Sequence, residues 1–407
     1  MAKTLPPAAS ALTELPYARG AILRGTDDDV AKLRAAWRIV EQRHRDSTLF
    51  DFSGLERSLD VGDAPASALH DDLAPALFGE RLTELALDHL GGVPGRDDVF
   101  VANRLTAAAV AAMQVLVRPG ATVVGISPSY THPAVVRSVR LAGGDFREGG
   151  PIGDADLVVL TRLAVTYEVL SEERLLKTVA EARSSEIPVF VDDAGGARVG
   201  PAVLGQPKML HLGVEVGATG LDKYGTTGPR LGLLAGRAGM VAQIRARAVE
   251  LGLEARPMLY PAVVRSLERY RPARVRELVE TTMRLGDSLE SSLGDRVERT
   301  AVAVKLPGEE ILAEAAARAG IPVTHCRLVP YEATAALAML LLRDHGILTV
   351  HFAALPPGTS ALLLKFVPPE TLTRFGGPDR LAAAVSESLD VLATLVADEP
   401  ALRRLLT

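Results

Sequence analysis

Cysteine, tryptophan and lysine are scarce in this chain: one, one and seven residues in 407, against thirty-eight arginines. A single thiol, Cys326, excludes an intrachain disulfide and fits a reducing, cytoplasmic setting. By residue type it is expected to be a small buried apolar side chain rather than a nucleophile. Excess positive charge is also missing: the formal net charge is −5. A protein that grips nucleic-acid phosphates needs a basic surface, so no nucleic-acid partner is expected. Long apolar runs are absent as well. The run AAAVAAMQVLV (107–117) falls far short of the roughly 20 residues that span a bilayer, so no membrane partner is expected. The opening MAKTLPPAAS has no extended apolar core and does not resemble a signal peptide. There are no internal repeats and no low-complexity tract, and no metal site is expected.

What is present is a large apolar fraction, 48 %, on a chain long enough for two domains. Residues 1–50 mix prolines with a polar helical stretch and read as an N-terminal arm. From residue 51 short valine-rich runs alternate with helical patterns. RDDVFVA, ATVVGIS, DLVVLTRL and IPVFVDDA are expected strands; NRLTAAAVAAMQVLV, HPAVVRSVRLAG and SEERLLKTVAEARSS are the helices between them. Continuous apolar strands separated by helices imply an α/β fold, a doubly wound and mainly parallel sheet. GVEVGATG and RLGLLAG are joined by too short a turn for a parallel crossover and should pair antiparallel. A long helical region, about 262–293 and broken at Pro272, leads to strands RTAVAVKL, GILTVHF and SALLLKFV and helices EEILAEAAARAG and PDRLAAAVSESLDVLATLVA. The expected domains are 51–256, large and ligand-binding, and 257–407, a connecting helix with a smaller α+β domain.

In a chain that favours arginine, Lys223 stands out within GATGLDKYGTTGPRLGLLAG (217–236). Lysine does what arginine cannot: its neutral amine condenses with an aldehyde. Asp192 ends a buried strand, where open α/β sheets bind ligands, and its carboxylate could hold a protonated ring nitrogen. Asp193 beside it reads better as a turn cap. The helix start in VANRLTAAAV, at 103–106, offers free amides and a hydroxyl to a phosphate. Tyr130 and His132 in SPSYTHPAV follow another strand end, and either could lie on an aromatic ring. Lysine, carboxylate, helix start and ring-stacking group together point to pyridoxal 5′-phosphate.

DFSGLER, VFVANRLTAAAV, YTHPAVVRSVRLAGG, VFVDDAGGARVG and LDKYGTTGPRLGLLAGR resemble the selenocysteine synthase-like group of fold-type I pyridoxal-phosphate enzymes, over roughly residues 50–270. The resemblance implies a seven-stranded large domain and a small C-terminal domain. It makes Lys223 the Schiff-base lysine, Asp192 the partner of the pyridine nitrogen and His132 the stacking ring. Arg104, Leu105, Thr106 and Ala107 would surround the phosphate, helped by Thr219 and Gly220. TTGPR (226–230) matches a segment near the subunit interface and neighbouring site, which adds Thr227 to the cofactor-binding set and implies a homodimer or larger homo-oligomer. Gly195 departs from relatives that carry histidine there, and the Asn-Pro element of many aminotransferases is replaced by TRLAVTYEV. The implied reaction is β-elimination or β-replacement on an amino-acid substrate through a Cα carbanion. Aldol cleavage, decarboxylation and transamination are the alternatives, and a noncatalytic cofactor-binding protein is a further one. Arg24, Arg230, Arg256 and Arg374 are candidates to hold the substrate carboxylate.

Overall fold

Glycine and proline punctuate the valine-rich runs, and in the computed structural model, which describes residues 15–353 and 357–407, those runs become strands. The chain divides into two compact units. Residues 15–55, of which those up to 50 were expected to be an arm and 51–55 the start of the large domain, group with Glu277–Thr407 and contain a helix, Thr26–Arg45, and a two-residue strand β1 (Phe50–Asp51). Residues 1–14 of that expected arm lie outside the described residues. The other division falls at Arg276, inside helix Pro272–Leu293, rather than at 256.

The unit Glu56–Arg276 is built on β2 (Asp97–Ala102), β3 (Thr122–Ile126), β4 (Asp145–Glu148), β5 (Leu157–Thr161), β6 (Val189–Asp192), β7 (Val216–Gly220) and β8 (Gly232–Arg237). They form one seven-stranded sheet in the order β2-β8-β7-β6-β5-β3-β4. All neighbours are parallel except where β8 pairs, antiparallel to both β7 and β2. The expected antiparallel pair around Lys223 is therefore present, and the fold is the α/β type read from the strand–helix alternation.

Successive strand residues feed opposite faces, as the two-residue period of a strand requires. Val99 and Val101 join one core, with helices Leu73–Leu90, Glu172–Ser184 and Tyr260–Arg269. Phe100 and Ala102 join the other, with helices Leu105–Leu116, Pro133–Leu141 and Ala238–Glu250. Cover on both faces explains why these strands read as unbroken apolar runs. It also leaves the C-terminal strand ends as the open edge.

The second unit holds an antiparallel sheet of β9 (Glu298–Arg299), β10 (Ala303–Pro307) and β12 (Ala361–Lys365), in the order β12-β10-β9. The run GILTVHF was expected to be a strand. Only β11 (Ile347–Leu348) forms, paired with the equally short β1, and Val350–Phe352 turns into a 3₁₀ helix. His351 is drawn there into a buried polar cluster instead of a ladder. Helix Pro330–His345 buries every residue from Tyr331 to Leu342, so it forms the axis of this unit's core.

Candidate active site

Four chain segments meet at the C-terminal edge of the large sheet because β2, β3, β6 and β7 all run toward it. Register puts Thr161, Asp192 and Ala218 level with one another, and Gly220 and Ala102 both level with Gly232. After Gly220 the chain turns through Leu221 and Asp222 to Lys223. The turn is pinned by Thr226, whose hydroxyl donates to the Lys223 carbonyl at 2.7 Å, and by Gly228 N–H, which donates to the Leu221 carbonyl at 3.1 Å.

Lys223 is half-buried, and its side chain folds back over Gly220: a Cβ at Gly220 would stand 3.2 Å from Lys223 Cε. Its amine makes no hydrogen bond or ion pair with any described residue. Burial lowers its pKa; the charges of Asp222 and Asp192 oppose that, and Arg198 and Arg230 add to it. The amine is thus close to two carboxylates yet committed to neither.

Asp192 is buried, and burial raises its carboxyl to about 6; Lys223 pulls it down, Asp193 pushes it up, and a hydrogen bond from the Ala194 amide pulls it down again. It takes part in no ion pair among the described residues. Asp193, expected to be a cap, instead holds the fully buried Arg162 through two hydrogen bonds, one of 2.8 Å from Nε. Arg162 also donates to the Pro207 carbonyl at 2.6 Å. Two adjacent aspartates therefore face different partners: one is neutralised, one is not.

His132 caps helix Pro133–Leu141, its Nδ1 accepting from the Ala134 amide at 3.0 Å. Burial, then the charges of Lys223 and Arg137, lower it to about 4. At neutral pH it is an uncharged imidazole whose proton must sit on Nε2, because Nδ1 is an acceptor. The charge of Lys223 thus acts on both Asp192 and His132.

At the helix start, Arg104 occupies the N-cap position with extended backbone and no side-chain cap for the first-turn amides. Asn103, Arg104 and Thr106 are exposed. The backbone packs closely there: a Cβ on Gly232 would stand 2.7 Å from the Arg104 carbonyl oxygen, so only glycine fits. Arg230 lies within the field of Arg104 and Arg57; burial and those two cations lower it to about 10, with Asp222 opposing. Arg57 in turn donates to Asp222 at 3.0 Å. Uncapped amides and three converging cations form a site for an anion.

Not every expected residue belongs to this group. The Thr219 hydroxyl is fully buried, donates to the Ala194 carbonyl at 3.1 Å and accepts from Arg198 at 2.8 Å, so it is engaged within the protein. Thr227 is fixed by its amide, which donates to Ser266 Oγ at 3.0 Å. Of the arginine candidates, Arg256 is exposed and pairs with the half-buried Asp71. Arg24 and Arg374 are in the second unit, on Asp28 at 3.6 Å and on the Leu49 carbonyl at 3.0 Å. Only Arg230 among the four acts on the charge of Lys223. Cys326 is half-buried with its thiol pushed up by burial, which fits an inert side chain.

The sequence reading missed Arg198, Arg57 and the tyrosine pair Tyr167–Tyr224, whose hydroxyls are 2.6 Å apart. Both tyrosines have positive φ, 70° and 48°, an unusual conformation for bulky residues that collects at functional sites. The Tyr224 ring occupies the space a side chain at Gly195 would need, which accounts for glycine there.

No family model matches the chain. The chain is 29 % identical over 391 residues to the UPF0425 pyridoxal phosphate-dependent protein of Methanothermobacter thermautotrophicus, covering 93 % of this chain and 98 % of that one. It is 32 % identical over 286 residues to the protein of the same description from Methanopyrus kandleri, covering 68 % and 78 %. Among solved structures it is similar to Bacillus subtilis ureidoglycine–glyoxylate aminotransferase (TM-score 0.59, 13 % identity, 88 % and 97 % covered). It is also similar to Sphingomonas wittichii serine palmitoyltransferase (TM-score 0.57, 14 % identity, 84 % and 88 % covered).

Proposed function

The chain belongs to the family of UPF0425 pyridoxal phosphate-dependent proteins, and we propose that Lys223, Asp192, His132 and the helix start at Arg104 hold that cofactor for chemistry at the α-carbon of an amino acid. The donor set fits the group. A lysine amine of lowered pKa suits an aldehyde, an unpaired buried carboxylate suits a ring N–H, and uncapped helix amides beside cations suit a phosphate. Gly232 leaves the backbone room there that a Cβ would fill. When bound, the cofactor supplies an aldehyde that condenses with amines and a ring that takes up an electron pair from the α-carbon.

The chain's own residues do the rest. Lys223 Nζ, bonded to no described residue, would be the amine that condenses with the aldehyde and the base that takes the α-proton. Asp192 keeps a proton on the ring nitrogen; a buried carboxyl raised to about 6 is one that gains by facing such a cationic N–H. The neutral imidazole of His132 covers the ring face without adding charge. Arg230 holds the substrate carboxylate, and Arg104 with Leu105, Thr106 and Ala107 holds the phosphate. Thr219, Gly220 and Thr227 shape the walls from which Lys223 projects.

Solved structures of similar fold include both an aminotransferase and a serine palmitoyltransferase, so fold does not select the reaction. We read it as β-elimination or β-replacement, lyase or transferase chemistry, on the resemblance to selenocysteine synthase-like enzymes and the missing Asn-Pro element. The observation that carries the proposal as a whole is the Lys223 amine, its pKa lowered by burial, bonded to no described residue although the charges of Asp222 and Asp192 act on it. The test is turnover of serine, cysteine and their O- or S-substituted forms. Ammonia and a 2-oxo acid appearing together support it. Oxo acid that forms only with a second amino acceptor would replace it with transamination. An absence of spectral change across all amino acids would leave a noncatalytic binder. We also read the chain as a homodimer or larger homo-oligomer: exposed Leu59, Leu73 and Leu77 supply apolar surface, and a monomer in sedimentation velocity would remove that reading.

A further inference from the structure

Arg198 has no exposed surface and forms no ion pair among the described residues. A buried guanidinium is ordinarily held by a carboxylate, because desolvating an unneutralised charge is costly. The nearest aspartates are otherwise committed: Asp193 to Arg162 and Asp222 to Arg57. Arg198 is held by neutral oxygens instead. One terminal nitrogen donates to the Gly220 carbonyl at 2.6 Å, to Thr219 Oγ1 at 2.8 Å and to the Ala194 carbonyl at 3.0 Å; the other meets His89 Nε2 at 3.3 Å. Its Nε is buried and makes no hydrogen bond with any described residue. Local sequence explains how it gets there. Gly195 and Gly196 have no room for a Cβ, against the Tyr224 ring and against Asp193 with Arg162. Helix Gly196–Val203 therefore starts directly beneath the strand ends and delivers Arg198 to them.

We propose that Arg198 is a positioning residue for Lys223: it clamps the Thr219–Gly220 strand end from which the lysine turn departs and sets an unneutralised positive field beneath the amine. A neighbouring cation disfavours a second charge, so the lysine stays available as a free amine. That is a reason to leave a buried arginine unpaired. The charged and titratable groups that face Lys223 are Asp222 and Asp192, which favour its protonation, and Arg198, Arg230 and His132. Those facing Arg198 are His89, Tyr224, Tyr270, Asp193 and Asp222. Burial keeps His89 neutral, at about 3, with the charges of Arg198 and Lys208 adding to the effect, so it cannot neutralise or double the charge near pH 7. The Tyr167–Tyr224 bond ties down the residue next to the lysine without adding charge.

The inference rests on the reading of Lys223 above, and its test does not need turnover. The full-length protein, stripped of cofactor, is labelled with trace acetic anhydride across pH, and the Lys223 peptide is quantified by mass spectrometry. A parallel measurement follows the rate at which added pyridoxal phosphate develops its imine absorbance. In Arg198→Met, Lys223 labels about tenfold more slowly at neutral pH than in the parent protein, because the amine is protonated more. Arg198→Lys keeps the charge and so keeps the parent pH profile, while imine formation slows because the fork is lost. Tyr167→Phe, which loosens the turn without changing charge, leaves the labelling profile in place. An unchanged profile in Arg198→Met overturns the inference, as does a profile in Arg198→Lys that moves toward more protonation. If Arg198→Met does not fold, the Arg198→Lys pair of readouts decides alone. If Lys223 bears no cofactor, Lys223→Ala keeps whatever imine absorbance the parent protein develops, yet the labelling profiles still answer for Arg198.

Discussion

Lys223 and Lys32 are both withdrawn from solvent, and burial lowers both, Lys32 to about 8. Their surroundings differ. Lys32, 1 % exposed, donates to the Tyr331 hydroxyl at 3.1 Å, contacts His351 Nε2 at 3.3 Å and lies 3.6 Å from Asp29. Asp29 is further tied to Arg19 at 2.6 Å and to the Tyr331 hydroxyl at 2.7 Å. Around Lys32 the charges close on themselves. Around Lys223 they do not: among the described residues its amine is unbonded, Asp192 is unpaired and Arg198 lacks a carboxylate. A depressed lysine pKa thus does not mark a reactive site by itself. Uncommitted partners mark it, because a group already satisfied has nothing left to offer a ligand.

The sharpest break of this comparison is substitution. Lys223→Ala should abolish the absorbance band of the bound cofactor and lower turnover by about a thousandfold or more. Lys32→Met should leave the band in place. Asp192→Asn should lower turnover by about a hundredfold, since the ring proton loses its holder. Asp192 also gives a signature in the cofactor-free protein. Its folded value, about 6, lies above the ordinary 3.8, so its contribution to stability is complete below about pH 4 and is lost as pH rises through 6. Relative to Asp192→Asn, the parent should lose up to about 3 kcal/mol across that window, read from urea midpoints.

Lys32→Met should cost about 1–3 kcal/mol at neutral pH, less than breaking an isolated buried pair because Asp29 keeps Arg19 and Tyr331. The pH sign is the reverse of that for Asp192. The folded value of Lys32, about 8, lies below its ordinary 10.5. The unfolded chain therefore binds the proton more tightly between those values, and the parent should gain stability relative to Lys32→Met as pH rises through them. The smallest effect expected is that of Arg230→Met: KM for amino acids rises about tenfold with kcat little changed, from loss of one charged hydrogen-bonding partner.

Much of the large sheet was legible because its strands are buried on both faces and its helices on one, so each has its own pattern. β4 was not read, since Asp145–Glu148 is an edge strand with no buried apolar residue. Helix Pro330–His345 was missed for the opposite reason: a helix buried on all sides has no polar stripe to reveal its period. Within the site, residues at strand ends (Lys223, Asp192, His132, Arg104) could be found because topology gathers strand ends. Arg198 and Arg57 could not. Arg198 sits on a helix rather than at a strand end, and Arg57 lies in a loop far from Asp222 in sequence. Thr219 was expected to help surround the phosphate; only the structure reveals that Arg198 and the Ala194 carbonyl occupy its hydroxyl.

The central claim is that the uncommitted lysine, not the satisfied one, bears the cofactor. Reducing the pyridoxal-phosphate-loaded protein with borohydride and mapping the modified peptide tests it most directly. One stable pyridoxyl label is expected, on Lys223, with a parent imine absorbance band that disappears on reduction. A label on Lys32 or another lysine, or no label at all on a protein that binds the cofactor, would contradict it.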